Sequence, residues 1–190
     1  MFDPCAVVPV FDHERAVAAG LRAAQAAGCT HALQVDADGQ HDLSDAERFL
    51  DEARRHPQSL VCGRPVFDDR VPASRHYGRY LTHAMVWLNT LSFDIPDGMC
   101  GYRVYPLAPM IRLLDSVHIG SFMAFDIEVL VRLHWAGQPM RWLETRVSYP
   151  ADGVSHFHLW RDNLRITGMH TRLFFGMLRR LPMILWRKLT

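Results

Sequence analysis

The sequence predicts an α/β domain, a mixed sheet flanked by helices, with a C-terminal amphipathic helical region. Three observations predict it. Short β-branched apolar runs alternate with stretches rich in Ala, Leu and Arg. Residues 6–36 read as one strand–helix–strand unit, which implies a parallel pair. Residues 157–190 change in character, combining large apolar side chains with cations.

Ala6-Val7-Val8-Pro9-Val10-Phe11 is a short strand, with Pro9 suited only to its end. His13 to Ala27 is strongly helix-forming and Gly28 is a natural stop. His31 to Val35 is a buried strand. Asp42-Leu43-Ser44-Asp45 carries capping chemistry for a helix to about His56, with Ala46, Phe49, Leu50 and Ala53 on one face. Ser59 to Gly63 is the next strand. Phe67 to Arg75 reads as a loop, and Tyr77 to Leu91 as a helix. Phe93 onward is a structured loop into the strand Tyr102 to Tyr105. A helix over Phe125 to Trp135, closed by Gly137, precedes a strand over Met140 to Tyr149. Phe157 to Phe175 suits a helix, and Pro182 is expected to interrupt the C-terminal helical stretch.

Composition sets bounds. A chain of 190 residues, 49 % hydrophobic, suits one domain. A formal net charge of +1 leaves no basic footprint, so no nucleic-acid partner is implied. Cys5, Cys29, Cys62 and Cys100 lie far apart with no C-x-x-C pair, so neither a zinc site nor a disulfide framework is expected, and a reducing cytoplasm fits best. Phe2-Asp3-Pro4 breaks the pattern of a targeting segment, and no apolar run reaches the roughly 18 residues of a membrane span. The C-terminal segment, with aromatics and leucines beside Arg and Lys, describes a helix lying on an anionic membrane, or alternatively one packed on the domain or in a homo-oligomer seam.

The chemistry concentrates where the second strand ends. Asp36-Ala37-Asp38-Gly39 places two carboxylates one residue apart, and Gly39 lets the backbone turn away. Carboxyl ends of strands in open α/β sheets are where ligands bind. Two hard oxygen donors there suit Mg²⁺ or Mn²⁺, and such a metal suits a diphosphate.

Val7-Val8-Pro9-Val10-Phe11, Val35-Asp36-Ala37-Asp38-Gly39-Gln40-His41, Cys62-Gly63-Arg64, Cys100-Gly101-Tyr102-Arg103 and Phe125-Asp126-Ile127-Glu128 occur in that order. Together they resemble the family 2 glycosyltransferases of the glycosyltransferase A type. The branch most similar comprises the dolichol-phosphate mannosyltransferase-like and polyprenyl-phosphate enzymes, with the enzymes of aryl-polyene pigment clusters sharing Gly153-Val154-Ser155-His156-Phe157. The resemblance implies a Rossmann-like sheet and transfer of a sugar, with inversion, from a nucleotide-sugar donor to a lipid-linked or membrane-proximal acceptor. It implies a divalent cation on Asp36, Asp38 and His156, and donor or phosphate contacts from Pro9, Asp36, Asp38, Gln40, Arg64 and Arg103, with Arg75 and Arg79 as further candidates. Asp126 is implied as the acceptor-side carboxylate, a general base toward a hydroxyl or an orienting group toward a lipid phosphate. Glu128 points away from Asp126 on a helix and suits a structural role; Asp97 suits the acceptor or its own turn. The implied location is cytoplasmic, peripheral at the inner membrane face.

The chain departs from that pattern in one respect. Family members carry about two further strand–helix units between the first strand and the D-x-D strand, including an acidic segment for base and ribose. Here Asp12-His13-Glu14-Arg15-Ala16-Val17 runs almost directly into the helix before the D-x-D. A glycosyltransferase A-type domain over residues 1–156, reduced in its nucleotide-binding half, is therefore expected, with the amphipathic helical segment over 157–190; a remnant without catalysis, binding a membrane or partner, is the rival expectation.

Overall fold

The structure is a computed structural model describing residues 2–8, 13–37, 39–67, 73–120, 123–148 and 159–189. Strand β1 (Pro4–Val7) is followed by helix α1 (His13–Ala26) and strand β2 (His31–Gln34). Helix α2 (Ala46–Arg55) and strand β3 (Leu60–Phe67) come next. Helix α3 (Ala73–Thr90), strand β4 (Arg103–Pro106) and helix α4 (Leu107–Ser116) continue the chain. Helix α5 (Met123–Trp135), strand β5 (Met140–Val147) and helix α6 (Leu159–Leu189) complete it.

The five strands form one sheet in the order β1-β2-β4-β3-β5. β1 and β2 pair in parallel from Pro4↔His31 to Val7↔Gln34, so the expected strand–helix–strand unit is present. β4 runs antiparallel to both β2 and β3, while β3 and β5 pair in parallel over eight residues. Four strands therefore end at one edge of the sheet, and β4 begins there. That edge brings Asp36, Gly101 and Arg103 into one neighbourhood.

The elements form where apolar side chains recur at the right period. Val17, Leu21 and Ala24 give α1 a buried face, and Gly28, at φ 86°, ends it as expected. Phe49 and Ala53 bury α2 against Tyr102 and Val61, with Ala46 and Leu50 packed beside them. α5 is buried all round from Ala124 to Val131, which makes it the central helix of the larger core. Met169, Leu173, Met177 and Ile184 turn one face of α6 into that core.

Several boundaries differ from expectation. α3 begins at Ala73, within the stretch expected to be loop. α4 is an additional helix; Pro109 falls in its first turn, where the missing N–H has no helical partner to lose. α6 runs unbroken through Pro182, because a single lost hydrogen bond is outweighed in a long helix with a packed face. Cys5 and Cys29 form a disulfide, which corrects the expectation of none. The parallel unit returns the chain beside β1, bringing two α-carbons 24 residues apart in sequence to 6.1 Å. Cys62 and Cys100 are free and buried, and burial pushes both thiols up to about 12.

His170 on α6 generates a test of how that helix is held. Its Nδ1 lies 3.0 Å from Asn89 Nδ2 on α3, and burial pushes the ring down to about 4. The unfolded ring takes up its proton below about pH 6.5, whereas the folded ring stays neutral until about pH 4. The unfolded state therefore binds more protons in that window, and stability falls as pH drops through it, by on the order of 3 kcal/mol. Urea denaturation between those limits is expected to show this slope in the wild type and a flatter one in His170→Gln; equal slopes contradict the assignment.

Candidate active site

Val35 still pairs with β1, donating to Val7 O at 3.2 Å, so Asp36 is the first residue free of the sheet. Its side chain is 22 % exposed and lies directly on Gly101. A Cβ at position 101 would overlap the carboxylate, so this glycine is required by close approach. His41 flanks the other side, with Nε2 4.0 Å from Asp36 Oδ2. The His41 ring stacks on Tyr102 at 5.4 Å, and Tyr102 packs on Phe49 at 4.5 Å. Ser148 N donates to Gln40 O at 3.0 Å, which fastens the loop to the end of β5 and leaves Gln40 half-buried at its rim. Asp42 then caps the turn Leu43–Asp45, accepting from Ser44 N at 2.9 Å. Hydrogen bonds from Ser44 hold its carboxyl below the usual carboxylate range.

Arg103 opens β4 and is wholly buried. Its Nη1 lies 3.2 Å from Asp126 Oδ1 and donates to Asp126 O at 3.0 Å and to Tyr105 Oη at 3.1 Å. Its Nη2 donates to Gly98 O at 3.0 Å. Burial opposes the charge, yet the neighbouring Tyr105 and Asp126 raise the guanidinium above its ordinary pKa. Gln34, the register partner of Arg103 across β2 and β4, directs Nε2 to the same Asp126 oxygen at 3.4 Å. Asp126 itself is 7 % exposed and sits in the first turn of α5, where the helix dipole favours an anion.

Asp97 is a second buried carboxylate at this edge. Arg79 Nε and Nη2 both lie 2.6 Å from its Oδ2, and His83 Nε2 lies 3.3 Å away. Its Oδ1 accepts from the backbone N of Met99 and Cys100, each at 2.9 Å, so it holds the turn that precedes Gly101. Burial alone would raise this carboxyl, but the hydrogen bond from His83 and the charge of Arg79 together hold it below the usual range. Glu128 is fully buried on α5 and faces away from Asp126, as expected. It accepts from Arg132 Nε at 2.8 Å, from Gly120 N at 2.8 Å and from Arg172 of α6 at 3.2 Å.

The structure thus brings together Asp36, Gln40, Arg103 and Asp126 of the expected site. Arg64 is exposed on β3, opposite Glu144 of β5. Pro9, Asp38, His156 and His158 lie outside the described residues, as does the side chain of Arg75. Arg103 is not at the surface: its fork is directed inward, at Asp126. Arg79 is likewise engaged, with Asp97. Gln34, Tyr105 and His83 are absent from the sequence expectation; the signal of Gln34 was a lone amide inside an apolar strand. Among the described residues no group of three or more His, Cys, Asp or Glu is placed to hold a metal ion.

A mixed five-stranded sheet flanked by helices is the α/β arrangement of the glycosyltransferase A type. Solved structures of glucosyl-3-phosphoglycerate synthase from Mycobacterium tuberculosis share it. The complex with phosphoglyceric acid matches at TM-score 0.54 and 12 % identity, over 88 % of this chain and 54 % of that one. The complex with uridine diphosphate matches at TM-score 0.53 and 13 % identity, over 90 % and 56 %. The complex with Mn²⁺, UDP-glucose and glycerol 3-phosphate gives 0.51 and 12 %, over 90 % and 55 %. The chain therefore spans just over half the length of these synthases. No family model matches the chain, and no curated protein does.

Asp97 supplies the test of how the site is built. Because its carboxyl is held low in the folded state, its contribution is complete above the unfolded value of about pH 4 and is lost as pH falls through the folded value. Asp97→Asn leaves Arg79 and His83 without their anion, and a loss of about 3 kcal/mol at neutral pH is expected from guanidinium denaturation. The gap between variant and wild type should close below about pH 4; a gap that stays constant with pH assigns Asp97 no charged role.

Proposed function

We propose that the chain transfers a sugar, with inversion, from a nucleotide-sugar donor to a lipid-linked or other membrane-proximal acceptor at the cytoplasmic face of a membrane. The observation that carries this is the pair Asp36 and Asp126. One carboxylate lies on a glycine backbone at the strand edge, and the other is gripped by Arg103 and accepts from Gln34, two residues before Asp36. The synthases of the same fold were solved with uridine diphosphate and with Mn²⁺ and UDP-glucose, so the diphosphate and a divalent cation are the first ligands to try.

Asp36, together with Asp38 and His156, would hold Mg²⁺ or Mn²⁺. When bound, that ion neutralises the diphosphate as it leaves. The partly exposed Asp36 carboxylate is a hard oxygen donor of the kind these ions take. Asp126 takes the proton of a hydroxyl acceptor, or orients a lipid phosphate that is already ionised. Arg103 acts as a positioning residue: with its donors on Asp126, Tyr105 and Gly98, it fixes the direction of the Asp126 carboxylate. Gln40, at the rim, and Arg64, exposed on β3, are the donor-side contacts of this reading.

A remnant without catalysis is the second reading, and one observation favours it. β1 is the edge strand of the sheet, with Ala6 and Val8 exposed, where the resemblance places further strands.

Calorimetric titration with uridine diphosphate and Mn²⁺ separates the two. Binding that is lost in Asp36→Ala supports the transferase, and no binding by the wild type supports the remnant. Given binding, Asp126→Asn is expected to keep diphosphate affinity while sugar transfer falls about 10²- to 10⁴-fold, the usual worth of a general base. Arg103→Lys should likewise lower kcat and leave diphosphate affinity in place. A loss of affinity instead would make Arg103 a phosphate ligand.

A further inference from the structure

Helix α6 carries two apolar faces, and one of them packs on the domain. Met169, Leu173, Met177 and Ile184 point inward. At 3.6 residues per turn, Leu164, Phe175, Leu178, Leu185, Trp186 and Leu189 project from the opposite side. Their exposures range from 44 % at Leu178 to 86 % at Leu189. Arg165, Arg172 and Arg179 recur every seven residues along one border of this outer stripe. Arg172 reaches back to Glu128, and Arg187 donates to Trp135 O at 2.8 Å, so α6 is fastened along α5 while keeping its charges.

The charge is one-sided. Residues 159–189 hold seven Arg and Lys against the single acid Asp162, although the whole chain has a net charge of only +1. The remainder of the chain is therefore acidic, and the cations are concentrated on the helix with the exposed apolar stripe. A second copy of α6 set against this face would bring two rows of arginine together, which like charges oppose. A lipid surface with anionic headgroups satisfies both features at once. It accepts the arginines at headgroup level and the aromatic and aliphatic side chains at the acyl boundary. No helix among the described residues is long and apolar enough to cross a membrane, which fits a helix lying in the interface plane.

We propose that the outward face of α6 docks the protein on an anionic lipid surface. Phe175, Leu178, Leu185, Trp186 and Leu189 enter the acyl boundary, and Arg165 and Arg179 lie among the headgroups. This deepens the reading of a membrane-proximal acceptor by naming the surface that meets the membrane, and it does not require sugar transfer to be observed.

The test is sedimentation of the full chain with phosphatidylcholine vesicles, with and without phosphatidylglycerol. Binding is expected only when the anionic lipid is present, and it should weaken with salt. Arg165→Gln and Arg179→Gln are each expected to reduce vesicle affinity about fivefold, the equivalent of roughly 1 kcal/mol per cation. The double variant Phe175→Ser, Trp186→Ser should lose binding with an unchanged circular dichroism spectrum, since both side chains stand outside the core. Equal binding to the two vesicle types overturns the proposal, as does binding that survives these substitutions. So does failure to bind vesicles with a dimer in analytical ultracentrifugation that Phe175→Ser dissolves, which would make the face a self-interface. A protein that sediments with vesicles but does not bind uridine diphosphate leaves this proposal standing and removes the transferase reading alone; the converse removes only the lipid surface.

Discussion

A guanidinium with no exposed surface cannot be left without acceptors, and the site is arranged around that requirement. Taking Arg103 out of water costs several kcal/mol unless its fork is matched. The match is drawn from three segments: Tyr105 on the same strand, Gly98 in the preceding loop, and both the carboxylate and the carbonyl of Asp126. Giving its two terminal nitrogens their acceptors thereby sets the start of α5 and the loop over 91–102 against β4. Gly101 belongs to that loop, and Asp36 lies on Gly101. The seat of the first carboxylate thus depends on the partners of the second.

The same logic repeats at two neighbouring places. Asp97 draws Arg79 and His83 of α3 onto the loop, and Glu128 draws Arg132 of α5 and Arg172 of α6 together. Each buried carboxylate has its own arginine, and each ties its element to a neighbouring one. Such pairs add little net stability over well-packed apolar side chains, but removing one partner is costly, so they specify an arrangement. Asp126 and Glu128 lie two apart on one helix and therefore face opposite ways, one toward the sheet and the other toward α6. α5 can carry site chemistry on one side and helix docking on the other because of that spacing.

Local pattern made the strands, α1, α2 and the carboxylate at Asp36 legible, since each rests on periodicity or turn chemistry within about ten residues. What escaped depends on distance along the chain. Arg103 reads as a surface phosphate ligand because a lone arginine after a glycine carries no sign of its direction; only the β2/β4 register brings it beneath Asp126. Gln34 gains its meaning from the same register. The pair Cys5 and Cys29 is invisible to spacing rules that look for near neighbours, yet it follows once β1 and β2 are adjacent. Pro109 and Pro182 carry opposite lessons. The first sits where a helix begins and costs nothing; the second is carried through because α6 is anchored on both sides of it, at Arg172 and Arg187.

The sheet order gives the site an asymmetry that bears on its chemistry. On the β4 side of Asp36 the edge is dense with fixed groups: Gly101, Tyr102, Arg103, Asp126 and Asp97, all buried. On the β1 side the described sheet ends after one strand, whose Ala6 is exposed, as is Val8 just after it. In the proposed reading, phosphate and acceptor chemistry would draw on the dense side, where charges are held by burial and paired geometry. Recognition of a base and ribose needs a wall of apolar and hydrogen-bonding groups, and the β1 side offers little of it. A donor seated here would gain its affinity from the diphosphate and its cation far more than from its base. Selectivity among nucleotides would then be the property most weakened by the short path from β1 to β2, while the orientation of Asp126, set by Arg103 and Gln34, would be unaffected.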